Sequence, residues 1–204
     1  INLPEGVRAA VISGDGSHFC AGLDLSELVA RDIHSGVLHS RMWHAAFDAL
    51  QFGSVPVVVA LHGAVVGGGL ELAASCHIRV ADDSTYYGLP EGQRGIFVGG
   101  GGSARVPRLA GVHTMTDMML TGRVLDAHEG ERRGLSQYVV AHGAGFAKGC
   151  ELAARIAGNA PLSIRQAKKS VRFGMQMELQ TALRFEAETY DHLVDTADRL
   201  EGVA

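Results

Sequence analysis

Cysteine is scarce in this 204-residue chain: Cys20, Cys76 and Cys150 are its only three. An odd, widely spaced set excludes a disulfide framework and a zinc pattern, and points to a reducing compartment. Positive charge is in deficit, with 18 Lys and Arg against 22 Asp and Glu and a formal net charge of −4. That leaves no basic excess to make nucleic acid the main partner. Long apolar runs are missing too. The longest are too short to cross a bilayer and no signal peptide opens the chain, so the expectation is a cytoplasmic protein with no membrane partner. Ile1-Asn2-Leu3-Pro4 holds no initiator methionine and reads as the middle of a protein. No internal repeat or low-complexity linker divides the sequence. Its 47% hydrophobic and 20% charged residues describe a soluble globular chain, long enough for one domain with a sizeable core or one domain plus an appendage.

Glycine is abundant, at 27 residues, and its most informative run lies between Leu61 and Leu72. The apolar run Val55 to Leu61 reads as a buried strand. A short connection leads to Gly67-Gly68-Gly69, and Leu70, Leu72, Ala73 and Ala74 start a helix. Three consecutive glycines are costly to order and suggest a backbone that a ligand must approach closely. At a helix N-terminus their unpaired N–H groups and the helix dipole favour negative charge. Glu71 falls in the first turn, and a carboxylate beside oxyanion donors is what acyl chemistry requires. The plainer alternative is a tight strand-to-helix turn with a close helix–sheet contact. A phosphate loop is excluded, because Leu70-Glu71 stands where Lys-Ser/Thr is needed, and a dinucleotide fingerprint fails at Leu72.

Along the chain, Val7 to Ser13 reads as a strand closed by Gly14-Asp15-Gly16, and Ser26-Glu27-Leu28 as the start of a short helix. Residues 29 to 36 read as a loop or weak helix. Leu38 to Leu50 is helical, with Trp43, Ala46, Phe47 and Leu50 on one face. His34, His39 and His44 recur every five residues, which does not stack on one helical face. They read as surface or pocket-lining groups, and no metal site is expected. His77 to Ala81 is a strand and Tyr86 to Leu89 a short extended run. Gly99 to Ala104 matches G-x-G-x-x-A, but without a clear βαβ frame it reads as a glycine-lined wall of the same pocket, opening a helix from Ser103 to Leu109. Helices follow at Val112 to Leu120, ended by Gly122, and from an Asp126 cap through Arg133, stopped by Gly134. Ser136 to Val140 is a strand. Gly145 to Ala157, a segment opened by Pro161, and Met177 to Leu200 are helical. The organisation is an α/β core over residues 1–140 and a helical region over 141–204.

Phe19-Cys20-Ala21-Gly22-Leu23-Asp24-Leu25, Gly63 through Ala73, Leu89-Pro90-Glu91, Leu120-Thr121-Gly122-Arg123 and Asp126-Ala127 together resemble the signature of the enoyl-CoA hydratase/isomerase (crotonase) superfamily, in the right order over nearly the whole chain. The resemblance implies a crotonase-like spiral of ββα turns, with C-terminal helices that drive trimers, often paired into hexamers. Against that pattern, the usual N-terminal strands and first helix are missing and the C-terminus stops early. The implied substrate is an acyl-CoA thioester, with no cofactor besides the CoA that the substrate itself carries.

Carried onto this sequence, the resemblance places the oxyanion hole at the main-chain N–H groups of Leu23 and Gly68. It makes Glu71 and Glu91 the catalytic pair of an enoyl-CoA hydratase that adds water syn across the 2,3 double bond, with Glu71 activating water and Glu91 supplying the Cα proton. Substrate-binding positions implied are Ala21, Asp24, Leu25, Ala64, Gly67, Pro90, Val98 and Gly99. Asp24 and Cys20 read on their own chemistry as a turn residue and a small buried residue. His77 stands where the family commonly has Asp, and Val98 with four glycines replaces the usual Pro-Gly-x-Gly-Gly. The segments His18–Leu28 and Tyr86–Gly92 are most similar to the branch of methylthioacryloyl-CoA hydratase. Alternatives on the same scaffold are isomerisation or thioester hydrolysis. A non-catalytic crotonase-like binding protein would need a basic stripe, which a net charge of −4 disfavours.

Overall fold

A computed structural model describes residues 6–29 and 32–202, excepting the side chains of 28 and 29. Ile1-Asn2-Leu3-Pro4, and residues 30 and 31 of the stretch 29–36, lie outside the described residues. Four strands, β1 (Ala10–Ser13), β2 (Val57–Leu61), β4 (Ile78–Asp82) and β7 (Tyr138–Val140), form a wholly parallel sheet in the order β1-β2-β4-β7. A second sheet holds β3 (Ala64–Val66), β5 (Tyr86–Gly88) and β6 (Leu125–Asp126), with β3 and β5 parallel and β6 antiparallel to β5. Every residue of β2 is buried, as expected of a central parallel strand covered on both faces.

The connections explain the two sheets. β2 leads into β3 and then α3 (Gly68–Ser75); β4 leads into β5, a 3-10 turn at Glu91–Arg94, and α4 (Gly102–Thr121). Each ββα turn therefore gives its first strand to the four-stranded sheet and its second to the three-stranded one. An earlier turn runs from β1 through a parallel bridge between Cys20 and Val65 to α1 (Leu25–Val29) and α2 (Ile33–Phe52). Val59, Leu61, Val65, Leu70, Tyr87, Leu89, Val106 and Met118 fill the core between these layers. On the other face of the parallel sheet, α6 (Gly145–Ala157) packs Leu152 against Val58 and Val80. The helices α7 (Pro161–Gly174) and α8 (Leu179–Val194) pair, with Phe173 edge-on to Phe185 at 6.2 Å and stacked on Phe52 at 6.0 Å.

The structure differs from the sequence expectations at several places. No weak helix or loop extends to residue 36: α2 starts at Ile33, because the Asp32 side chain accepts the Ser35 N–H at 2.7 Å and caps it. On its expected apolar face, Phe47 and Leu50 are buried but Ala46 is exposed. The connection after Leu61 is itself the strand β3, too short to carry a period, and β6 is two residues long for the same reason. The separate helices expected at Ser103 to Leu109 and Val112 to Leu120 do appear, because Gly111, with φ 83° and ψ 156°, divides α4 into two segments. The last helical stretch breaks at Asp195 before α9 (Ala197–Gly202). α5 (Ala127–Arg132) is capped by Asp126, whose carboxylate accepts the Glu129 N–H at 2.7 Å. His77 is a tie between elements: its Nδ1 accepts the Val57 N–H at 3.0 Å and its Nε2 lies 3.2 Å from the Gln51 carbonyl. Burial pushes its pKa down to about 4, so the ring is neutral at pH 7.

Two glycine substitutions test this packing. A Cβ on Gly69 would collide with the Cys20 carbonyl, so Gly69→Ala is expected to destabilise the protein by about 3 kcal/mol, read as a lower urea midpoint. Gly36, inside α2 with open space around it, should behave oppositely: Gly36→Ala is expected to stabilise by about 0.5–1 kcal/mol in the same titration.

Candidate active site

The site is built where two backbone segments come closer than side chains allow. Gly22 has φ 94°, and a Cβ there would lie 3.0 Å from the Val66 carbonyl oxygen and 3.2 Å from the Gly68 nitrogen. Gly67, with φ 55° and ψ −123°, caps α3 and donates its N–H to the Gly88 carbonyl at 2.9 Å. Gly68 follows as the first residue of α3, so its N–H has no acceptor within the helix. The loop after Gly22 thus brings the Leu23 main chain beside the positive end of the α3 dipole. Trp43, from α2, packs against this point: a Cβ on Gly68 would sit 2.6 Å from its ring.

Two carboxyl groups face this helix start, and their surroundings differ. Glu71 is 3% exposed, and its Oε1 accepts the N–H groups of Gly100 and Gly102 at 2.8 and 2.6 Å. Glu91 is 7% exposed; its Oε1 would stand 2.7 Å from a Cβ on Gly67. Its Oε2 is buried and takes no hydrogen bond among the described residues. Burial raises the Glu91 pKa above the usual carboxyl range, and the Glu71 charge pushes the same way. One carboxylate is therefore held by the backbone, while the other favours its proton.

Both open into a cavity of about 570 Å³. Of the residues expected at the substrate from sequence, Ala21, Leu23, Leu25, Ala64, Gly67, Gly68, Glu71, Pro90, Glu91 and Gly99 line it. Asp24 does not: it is exposed and turned to its own loop, its Oδ1 accepting the Ser26 N–H at 2.9 Å and the Ser26 hydroxyl at 2.8 Å. Val98 is also absent from the wall, being buried in the core 3.2 Å from where a Cβ on Gly102 would lie. Irregular backbone, not a strand, precedes Gly99, so the G-x-G-x-x-A match has no dinucleotide frame.

Of the α2 contribution to the wall, sequence reasoning gave His39 as a surface or pocket-lining group but missed Ser40 and Trp43. His39, Ser40 and Trp43 all face the cavity. Trp43 Nε1 donates to His39 Nε2 at 2.9 Å, and the Ser40 hydroxyl donates to the Gly99 carbonyl at 2.7 Å. Trp43 also meets Phe47 edge-on at 5.2 Å. The helical spacing of Trp43 and Phe47 signals a buried face, but spacing alone does not separate a core face from a pocket face. Opposite, Phe97 is 67% exposed at the cavity edge. Cys20 is half-buried, and its main chain pairs with Ala64 and Val66.

Comparison with known proteins bears on the family and the fold. The enoyl-CoA hydratase/isomerase family profile matches residues 3–204. A solved structure from Rhodopseudomonas palustris CGA009 is similar at 50% identity and TM-score 0.94, covering 98% of this chain and 78% of that one. The short-chain-enoyl-CoA hydratase of Clostridium acetobutylicum is 33% identical over 198 residues, with 97% of this chain and 76% of that protein covered. The mitochondrial methylglutaconyl-CoA hydratase of Mus musculus is 36% identical over 192 residues, and this chain spans 60% of its length.

The Glu91 environment has a measurable consequence. A carboxyl whose folded pKa is raised contributes stability below its unfolded pKa and loses it as pH rises through the folded value. Glu91→Gln is neutral throughout, so it is expected to unfold at the wild-type temperature near pH 4 and at a higher temperature at pH 8. Equal melting temperatures at both pH values would show that Glu91 carries no such penalty.

Proposed function

Because the chain belongs to the enoyl-CoA hydratase/isomerase family, we propose that it adds water across the 2,3 double bond of a 2-enoyl-CoA thioester. The observation that carries this reading is the pair of buried carboxyl groups of unlike environment on one cavity wall. Hydration needs one group to take a proton from the attacking water and another to give a proton to Cα. Glu71, oriented by the Gly100 and Gly102 N–H groups, is suited to the first role. Glu91, whose proton is favoured by burial, is suited to the second. Isomerisation moves a single proton between carbons and leaves one of these costly buried carboxyls without a role.

In the proposed step the water oxygen bonds to Cβ as its proton passes to Glu71. The π electrons shift through Cα to the thioester oxygen, giving an enolate. The Leu23 and Gly68 N–H groups and the α3 dipole stabilise that oxygen, and the carbonyl re-forms as Cα takes the Glu91 proton. Proton return from Glu71 to Glu91 resets the pair, so atoms and charge balance with water as the only co-reactant. CoA enters as part of the substrate, and the reading calls for no separate cofactor. Exposed apolar residues on α7 and α8 and between them, among them Val171, Met175, Leu179 and Leu183, support assembly of this chain as a homotrimer or a hexamer.

The test is hydration of crotonyl-CoA followed by loss of the enoyl absorbance. Wild type should turn over, and Glu71→Gln and Glu91→Gln should each lower kcat/KM by about 100-fold or more. Absence of turnover with crotonyl-CoA and with longer and sulfur-bearing enoyl-CoAs, despite tight binding of the CoA esters, would overturn the proposal.

A further inference from the structure

The segment that orients Glu71 has no side chains of its own. Gly99 to Gly102 are four consecutive glycines, and such a run loses more conformational freedom on ordering than other residues do. Yet it presents two N–H groups to a single carboxylate oxygen with distances of 2.8 and 2.6 Å. The N–H groups of Gly100 and Gly102 both point to Glu71, and the carbonyl of the peptide between them, that of Gly100, is taken by a different group. Gly101, whose φ is 100°, lies between the two donors. This is a backbone nest for an anion, and its geometry depends on holding the middle peptide.

Arg105 holds it. The residue is 8% exposed, and Nη1 donates to the Gly100 carbonyl at 2.6 Å. Nε donates to Gln51 Oε1 at 2.8 Å and Nη2 to Asp48 Oδ1 at 2.6 Å, so the same guanidinium ties the loop to α2. A Cβ on Gly101 would collide with Arg105 Nη1, and one on Gly100 would lie 2.7 Å from the Phe47 ring. The glycine loop is thus threaded between Phe47 and Arg105, with no room for a side chain at Gly100 or Gly101. A planar fork with several fixed donors serves this junction, and a lysine ammonium does not reproduce it.

We propose that Arg105 is a positioning residue for the reaction: by fixing the Gly100 carbonyl it aims the Gly100 and Gly102 N–H groups, and through them the Glu71 carboxylate. Arg105 is not among the residues lining the cavity, so its effect falls on the chemical step rather than on substrate affinity. The effect on rate rests on the hydration reading above; the effect on the loop does not.

The experiment pairs two measurements on Arg105→Ala and Arg105→Lys. With crotonyl-CoA, Arg105→Ala should lose about 100-fold in kcat with KM within about threefold of wild type, since small misplacements near the chemistry cost that much. Arg105→Lys should recover only part of the loss, and added guanidinium ion at millimolar concentration should restore part of the Arg105→Ala rate without raising that of wild type. In hydrogen–deuterium exchange, the Gly100 and Gly102 amides should exchange at least about tenfold faster in Arg105→Ala while β2 and β4 amides keep their wild-type rates. Wild-type exchange at the two glycine amides overturns the proposal. So does a lost rate that guanidinium leaves unchanged together with faster exchange across the whole core, which would mark a general role in folding. If wild type hydrates no enoyl-CoA, the hydration reading fails and the exchange measurement alone decides the clamp. If Arg105→Ala does not fold, Asp48→Asn, at the half-exposed partner, is expected to lower kcat several-fold with faster exchange at the same two amides. Wild-type values for both would overturn the proposal.

Discussion

The structure depends on one close approach of backbone to backbone. The Cys20 main chain is stitched to β3, its N–H donating to the Ala64 carbonyl and its carbonyl accepting from Val66, both at 3.0 Å. The start of α3 then presses Gly69 onto that same Cys20 carbonyl, at a separation that no Cβ would tolerate. Two consequences follow from this contact. It buries polar backbone only where hydrogen bonds satisfy it. It also holds the Gly22 main chain against the Gly68 nitrogen, so segments about 45 residues apart meet at the start of α3 before any substrate arrives.

The helix α2 supports this arrangement from the side. Trp43, Phe47 and Gln51 recur every four residues and meet, in turn, Gly68, Gly100 and Arg105. One helical face therefore touches both the helix start and the glycine loop that receives Glu71. The two carboxyls, twenty residues apart in sequence, differ for a physical reason that side-chain identity does not contain. Glu71 meets two converging N–H groups, whereas Glu91 follows Pro90 into a 3-10 turn where one oxygen is buried without a hydrogen-bond partner among the described residues.

Much of the fold was legible because its signals are local. The limits of α3 and α6 follow from glycine and from apolar spacing, Gly122 ends α4 in a left-handed conformation, and Asp126 caps α5 with its side chain. Signals failed where an element was too short to repeat, as in β3 and β6. They failed also at Asp32, where a single side-chain cap at 2.7 Å starts α2 inside a stretch of mixed composition. Asp24 shows a different limit: a position in a family motif marks the loop, but local hydrogen bonds to Ser26 turn the carboxylate away from the cavity.

The sequence by itself determined which residues had to be small, which carboxyls stood next to glycine turns, and which family pattern they follow. Those properties are encoded in neighbours a few positions apart. Only the tertiary structure decided that Gly100 and Gly102 donate to Glu71, that Glu91 keeps a buried oxygen unpaired among the described residues, and that Trp43 and Ser40 line the cavity. It alone decided that Arg105 reaches back to a glycine carbonyl and across to Asp48 and Gln51. These relations join residues up to about 60 positions apart, and their strength depends on tenths of an ångström and on the exclusion of water. Neither quantity is carried by the order of residues along the chain.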